Sequence, residues 1–269
     1  MMERLLAAGA LQKLAARAGY FRLDAAMSAT AAKRAAQQVH SFFLQAILAH
    51  YDIDCVVDAG ANQGQFAAAL RSDGYRGAIV SFEPAQQQFE ILRQHSRGDQ
   101  NWHVRQEALG AKEERRDLRV MRRPAFSSFL DPAQNQPQES LGRNEVEHVE
   151  NVSIRRLDAI APEIPSLKNA RRLLLKMDTQ GFDLEVFAGA SGILDRVAAL
   201  QSELSLTPLY QGMPHFTEAL ATFEAAGFRV CSIAPVVRDA STLALIECDC
   251  LMLRTATLPA AAPVATPES

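Results

Sequence analysis

The chain has 269 residues, 48% of them hydrophobic and 22% charged, and a formal net charge of −3. That length suits one α/β domain with extensions, and the apolar share is enough for a sizeable core. The near-balanced charge gives no reason to expect nucleic acid or an anionic membrane as partner.

Residues 1–50 are Ala-rich and read as an N-terminal helical extension. Leu5, Leu6, Leu11 and Leu14 recur at helical spacing with Lys13 and Arg17 on the other side, and Phe42, Phe43, Ile47 and Leu48 close the segment. An amphipathic helix of this kind packs on the domain or against a second subunit of a homodimer. Gln12 and Lys13 break the first apolar run and no small-residue cleavage site follows, so it does not read as a signal peptide. No stretch reaches the roughly 18 to 20 apolar residues of a membrane span.

At residue 51 the pattern changes and the main domain, 51–255, begins. IDCVVDAG (53–60) is a short apolar strand ending at a glycine turn, followed by a helix through Phe66, Ala69 and Leu70 that stops near Gly74. Ala78 to Phe82 is a second strand, Phe89 and Leu92 mark the next helix, and Trp102 to Gln106 is a third strand. Strands alternating with helices of roughly 10 to 15 residues indicate βαβ units and a parallel sheet with helices on both faces.

Between about 110 and 170 the rhythm loosens into an insertion that borders or covers the site. RRDLRVMRR alternates at strand period, SSFLDPAQNQPQES is rich in turn residues, and VSIRRLDAI (152–160) reads as a strand. Within the basic run, Arg116 and Arg122 share a face with Leu118 and Val120, which suits an edge strand protected by charge.

LLLKMD (173–178) restores the βα alternation, with a helix through Leu184, Val186 and Phe187, and Ala198 to Leu206 is a further strand. Phe216, Leu220 and Phe223 then follow at helical spacing up to Gly227. The last strands, Phe228 to Ile233 and Leu243 to Leu253, are joined by a link too short for a helical crossover, so they pair antiparallel. Residues 256–269 are Pro- and Ala-rich and read as a disordered tail. Cys55, Cys231, Cys248 and Cys250 all lie on strand-like stretches without zinc-ligand spacing, which fits buried reduced thiols in a cytoplasmic protein.

The strand ends carry the candidate chemistry. In a doubly wound sheet the ligand crevice lies at the carboxyl ends of the strands, beside the first one. There the sequence reads Asp58-Ala59-Gly60-Ala61-Asn62-Gln63-Gly64. Gly60 permits the tight turn, Gly64 close approach at the helix start, and free N–H groups suit a ligand carboxylate. Asp58 is placed to accept from a ligand ammonium, directly or through water. Asn62 occupies the place of the central glycine in the dehydrogenase pattern G-x-G-x-x-G, which argues against a nicotinamide-dependent oxidoreductase. Glu83, in SFEP at the end of the second strand, is placed to take both ribose hydroxyls; the alternative is a helix N-terminal acid ahead of Pro84. Glu107 and Ala108, after the third strand, occupy the corresponding place for adenine, with a solvated loop acid as the alternative for Glu107.

After the fourth strand the run Lys176-Met177-Asp178-Thr179-Gln180-Gly181-Phe182-Asp183-Leu184-Glu185, followed by Val186-Phe187-Ala188-Gly189-Ala190, resembles the signature of the FkbM methyltransferases, K-x-D-x-E-G-x-E-x-x-V-x-x-G-A. VVDAGANQG, FEP and PLYQGMP also fit, and the resemblance runs from about 54 to 253. It implies a class I methyltransferase fold of the Rossmann-like α/β type, with a mostly parallel seven-stranded sheet and an antiparallel C-terminal hairpin strand. It also implies S-adenosylmethionine as methyl donor, bound by Asp58, Gly60, Asn62, Gly64, Glu83, Glu107, Ala108 and Asp178. The implied reaction is O-methylation of a hydroxyl on a sugar, glycan, lipid or polyketide-like acceptor. Gln180 departs from the family's glutamate: it can neither act as base nor carry charge, but it can still exchange hydrogen bonds with a substrate hydroxyl.

Methyl transfer requires the acceptor oxygen in line behind the sulfonium methyl, helped by a group that takes its proton. Asp178 is the first candidate for orientation or base. Lys176 shares its face and pairs with an acid or snorkels from the strand. His215 has a suitable pKa for proton transfer, or is a surface residue. Glu185 fits either the family pattern or the helix dipole. Gln180, Glu203 and Tyr210 are the candidate substrate-binding residues. No ligand cluster for a metal is readable. The alternative function is a protein that keeps the cofactor pocket without turnover, an idea that Gln180 favours.

Overall fold

The computed structural model describes residues 29–134 and 145–254. The readings for the first amphipathic stretch and for the C-terminal tail lie outside the described residues.

Ten strands are described: β1 (Cys55–Ala59), β2 (Ala78–Phe82), β3 (Trp102–Arg105), β4 (Ala108–Leu109), β5 (Glu114–Met121), β6 (Val146–Arg155), β7 (Leu173–Met177), β8 (Val197–Ser205), β9 (Phe228–Arg238) and β10 (Leu245–Arg254). Seven of them form one sheet in the order β3-β2-β1-β7-β8-β10-β9. The first five of that order pair in parallel, and β10 runs antiparallel to both β8 and β9. This is the class I methyltransferase arrangement that the resemblance implies. The reversal has a local cause. Asp239 Oδ1 accepts from the N–H groups of Ser241 and Thr242, closing a tight turn between β9 and β10 that leaves no room for a crossover.

The central strands are apolar because both their faces are covered. Every residue of β1 and β7 is buried. Burying a leucine such as Leu173, Leu174 or Leu175 contributes about 1.5–3 kcal/mol relative to leaving it exposed. On one face lie α1 (Ala29–His50), α2 (Gln65–Ser72) and α3 (Gln86–His95), which set Leu44, Ile47, Leu48, Leu70 and Leu92 against Val56, Ile79, Leu174 and Leu251. On the other face lie the short helices α4 (Leu157–Ile160) and α5 (Pro165–Asn169), then α6 (Asp183–Gly189) and α7 (Phe216–Ala225). Their Leu157, Leu167, Val186, Phe187 and Phe223 complete the second core layer.

The loosened stretch after β3 is a separate three-stranded sheet, order β4-β6-β5, with β5 at its edge as the charge pattern implied. It has its own apolar cluster of Leu118, Val120, Phe129, Val152 and Ile154, joined to the main domain through Phe182. One sequence expectation fails here. VSIRRLDAI is not a continuous strand: β6 ends at Arg155 and Leu157–Ile160 is helical. Arg156 pairs with Asp158 and donates to the carbonyl of Ala111, which turns the chain before the apolar pattern runs out.

Candidate active site

The carboxyl ends of β1, β2 and β7 open onto a cavity of about 430 Å³. Its floor contains Gly60, Asn62, Glu83, Asp178 and Gln180, and the insertion supplies a roof through Leu118, Ser128 and Phe129. That size falls in the ordinary range for small-molecule sites.

Gly60 is dictated by the crossing of two turns. Its φ is +74°, and a Cβ there would lie 2.1 Å from the backbone oxygen of Asp178. The turns after β1 and β7 therefore touch directly, and the Asp178 N–H donates to the carbonyl of Ala59 at 3.1 Å. Gly64 serves a different end from the one its spacing implied. It is absent from the cavity wall; its φ is +89°, and a Cβ would meet Leu92 and Trp102 at 2.8 Å. The turn also keeps most of its donors. The N–H groups of Gly60 and Ala61 bond to Phe82, that of Gly64 to Ala61 and that of Asn62 to Glu83, so few remain for a ligand carboxylate.

Glu83 is buried on the cavity wall, its two oxygens accepting from the N–H groups of Asn62 at 2.7 Å and Ala85 at 2.9 Å. Burial pushes its carboxyl up to about 7, against the pull of these two bonds. Each oxygen keeps a lone pair for a further donor, and Asn62 Oδ1 is buried with no hydrogen-bond partner among the described residues. An adjacent-diol ligand such as a ribose fits this donor-poor pair of oxygens.

Asp58 lies below the floor, not on it. It is fully buried, Ser81 Oγ donates to its Oδ2 at 3.3 Å, and the Lys176 ammonium stands 3.1 Å from Oδ1, close but off-line for a hydrogen bond. The reading that Asp58 meets a ligand ammonium is thus replaced by an ion pair with Lys176. Lys176 in turn reaches Asp178 Oδ2 at 3.5 Å, donates to the Gly60 carbonyl at 3.2 Å and lies over the Phe66 ring at 5.6 Å. The two carboxylates outweigh desolvation and hold its ammonium charged, with the pKa raised above its usual value.

Gln180 has φ +50° and sits in the sharp turn before α6. Its Nε2 donates to Asp178 Oδ1 at 3.1 Å and to Glu203 Oε2 at 2.8 Å, while Tyr210 Oη lies 3.0 Å from its Oε1. Of the three predicted substrate-binding residues, only Gln180 is on the cavity wall. Tyr210 is fully buried, also bonds the Phe126 carbonyl at 2.8 Å, and so ties Gln180 to the insertion. Glu203 stands behind Gln180, its carboxyl pushed well above the usual range by burial and by the charges of Asp178, Glu247 and Asp249.

Two further candidates fall outside the cavity. Glu107 pairs with Arg105 at 3.0 Å and Arg155 at 3.4 Å, facing the insertion, whereas Ala108 does line the wall. His215 is exposed as the N-cap of α7, with Nδ1 2.7 Å from Thr217 Oγ1. Its place is thus that of a helix cap. Glu185 likewise lies exposed on α6.

Three further residues take part in the site without a sequence pattern that gave them a role. Asp183 accepts from the Thr179 N–H at 2.9 Å and from Ser202 Oγ at 2.6 Å, pinning the turn that carries Gln180. Gln201 and Asp249 line the cavity from β8 and β10. Among the described residues, no group of three or more His, Cys, Asp or Glu is arranged to hold a metal ion, and no helix is long and apolar enough to cross a membrane.

A glycine turn, a buried acid at the next strand end and the K-x-D turn thus meet at one cavity, and the family model described as the methyltransferase FkbM domain matches residues 58–230, more than half of the chain. The chain belongs to the FkbM methyltransferase family. Family membership sets aside the oxidoreductase alternative. Among curated proteins, "Methyltransferase 1" of Beauveria bassiana (strain ARSEF 2860) is 24% identical over 193 residues, covering 66% of this chain and 74% of the relative. Among solved structures, an rRNA methylase from Streptococcus thermophilus is 12% identical with a TM-score of 0.41, covering 79% of this chain and 94% of its own. The magnesium protoporphyrin IX methyltransferase of Synechocystis PCC 6803, solved with bound SAM, is 9% identical with a TM-score of 0.42, covering 87% of each chain.

Proposed function

We propose that the protein is an S-adenosylmethionine-dependent O-methyltransferase acting on a hydroxyl of a sugar, glycan, lipid or polyketide-like acceptor. The observation that carries this reading is the convergence of Gly60, Glu83 and Asp178, from three neighbouring strand ends, on one cavity. When bound, S-adenosylmethionine supplies an electrophilic methyl on a sulfonium. Glu83 would accept from the ribose hydroxyls, Asn62 Oδ1 would take a donor from the ligand, and Ala108 would pack against the base. Asp178, paired with Lys176 and oriented by Gln180, fixes the acceptor hydroxyl at the methyl end. Positioning of this kind accounts for much of the acceleration in a transfer between two bound groups.

The test is transfer of label from methyl-tritiated S-adenosylmethionine to a panel of methyl glycosides, glycolipids and macrolide alcohols. Wild-type protein is expected to label at least one acceptor, and Asp178→Asn to lose about 10²-fold of that rate, the size of effect that misplacing a reacting group produces. Binding of the donor with no transfer to any of them would instead favour the alternative of a cofactor-binding protein without turnover.

A further inference from the structure

Strand β10 alternates its side chains across the sheet. Cys248 and Cys250 point into the core layer formed with α6 and α7. Asp249, between them, therefore points to the opposite face, where it joins the cavity wall beside Gln201. It is paired in register with Glu203 on β8 and with Ala234 on β9, so a small residue stands at its outer side.

Besides Glu83, the acids Asp178 and Asp249 line the cavity, and they differ in how they are occupied. Asp178 has a partner on each oxygen, Lys176 on Oδ2 and the Gln180 amide on Oδ1. Among the described residues, Asp249 has no hydrogen-bond or ion-pair partner on either oxygen, although it lies on the wall of the same cavity. A carboxylate that is already saturated by a cation and an amide is a poor proton acceptor, whereas one with free lone pairs in a partly dry wall is a better one.

Resting on the reading of this cavity as an O-methylation site, we propose that Asp249 is the general base, a catalytic residue that takes the acceptor hydroxyl's proton while Asp178 holds the hydroxyl in line. In the step, the acceptor oxygen bonds to the methyl carbon as the carbon–sulfur bond breaks and its electron pair stays on sulfur, leaving a neutral thioether. The hydroxyl proton passes to an Asp249 oxygen and is later released to water.

The charges around Asp249 set its working range. Burial and the Asp178 carboxylate push its pKa up to about 6, against Lys176 on β7 and Lys33 on α1, while Glu203 on β8 faces it across the register. The base must be ionised to act, so the rate falls as the pH drops through this range and is fully present above it.

The experiment uses protein labelled at the aspartate carboxyl carbons and saturated with S-adenosylhomocysteine. One carboxyl resonance, missing from Asp249→Asn, is expected to titrate near pH 6. In the acceptor assay Asp249→Asn should lose about 10²-fold or more in rate and its acid limb, the usual contribution of a positioned base. Its affinity for S-adenosylhomocysteine should stay within about threefold of wild type over the same series, since a base contributes to the transfer step and not to cofactor binding. Added formate should restore part of the rate to Asp249→Ala and none to Asp178→Ala. Titration of the resonance with the surface carboxylates, full activity of Asp249→Asn, or loss of cofactor binding in that variant would each overturn the proposal. Wild-type protein that fails to bind S-adenosylhomocysteine would instead overturn the underlying functional reading.

Discussion

On the β1–β7 side of the cavity, charge is compensated: Asp58, Lys176 and Asp178 form a chain of 3.1 and 3.5 Å contacts in which the ammonium serves both acids. On the β8–β10 side it is less so. Burial, Asp178, Glu247 and Asp249 push the Glu203 carboxyl up, and at Asp249 the pull of Lys176 and Lys33 does not offset burial and the Asp178 charge. The first wall is electrostatically complete within the chain. The second is left with acceptors but few donors, and a hydroxyl-bearing ligand supplies what it lacks. The roof adds to the contrast, since the insertion reaches the floor directly through Ser128, which donates to the Gln180 carbonyl, and indirectly through Tyr210, which lies between the Phe126 carbonyl and the Gln180 amide.

The largest effect is expected at Lys176. Lys176→Met would strand Asp58 as a buried charge, and removing one partner of such a pair costs about 3–5 kcal/mol. Urea unfolding of the variant should show that loss. A midpoint close to wild type would mean that Asp58 is neutral without its partner and that the first wall is not held by charge.

A smaller effect is expected at the boundary between the walls. Gln180→Glu would place a third carboxyl 3.1 Å from Asp178 and 2.8 Å from Glu203, where the amide now donates to both. Such an acid has its folded-state pKa raised, so its penalty is absent below the unfolded value and grows as the pH rises through neutrality. Unfolding measured at pH 5 and pH 8 should therefore show a loss confined to the higher pH, on the order of 1–3 kcal/mol for an unmatched polar contact in this setting. Equal loss at both values would point to shape and not charge.

How much of this was legible in the sequence follows the range of the interactions. Gly60, Glu83 and Lys176–Asp178 sit where an apolar strand meets a turn, and local period alone marks such places. The reversed hairpin was legible too, because a short link cannot cross over. Asp249 was not, although the alternation of Glu247, Asp249 and Leu251 against the two cysteines carried the signal. Its place depends on β10 inserting between β8 and β9, a pairing decided far along the chain from the signature. Glu107 was misplaced for the same reason, since its partner Arg155 arrives from the insertion. For His215 the surface alternative describes its place, since it is an exposed helix cap bonded to Thr217.

The most direct test of the account is calorimetric titration of S-adenosylhomocysteine into wild-type protein and Glu83→Gln at pH 6 and pH 8. Saturable binding to wild type is expected, tightening as the pH rises and ionises Glu83, whose carboxyl burial pushes up to about 7. A loss of about tenfold or more is expected in the variant, the worth of a hydrogen bond to a charged group, together with loss of the pH dependence. Absence of binding to wild-type protein, or equal affinity in the variant at both pH values, would contradict the assignment of this cavity to the methyl donor.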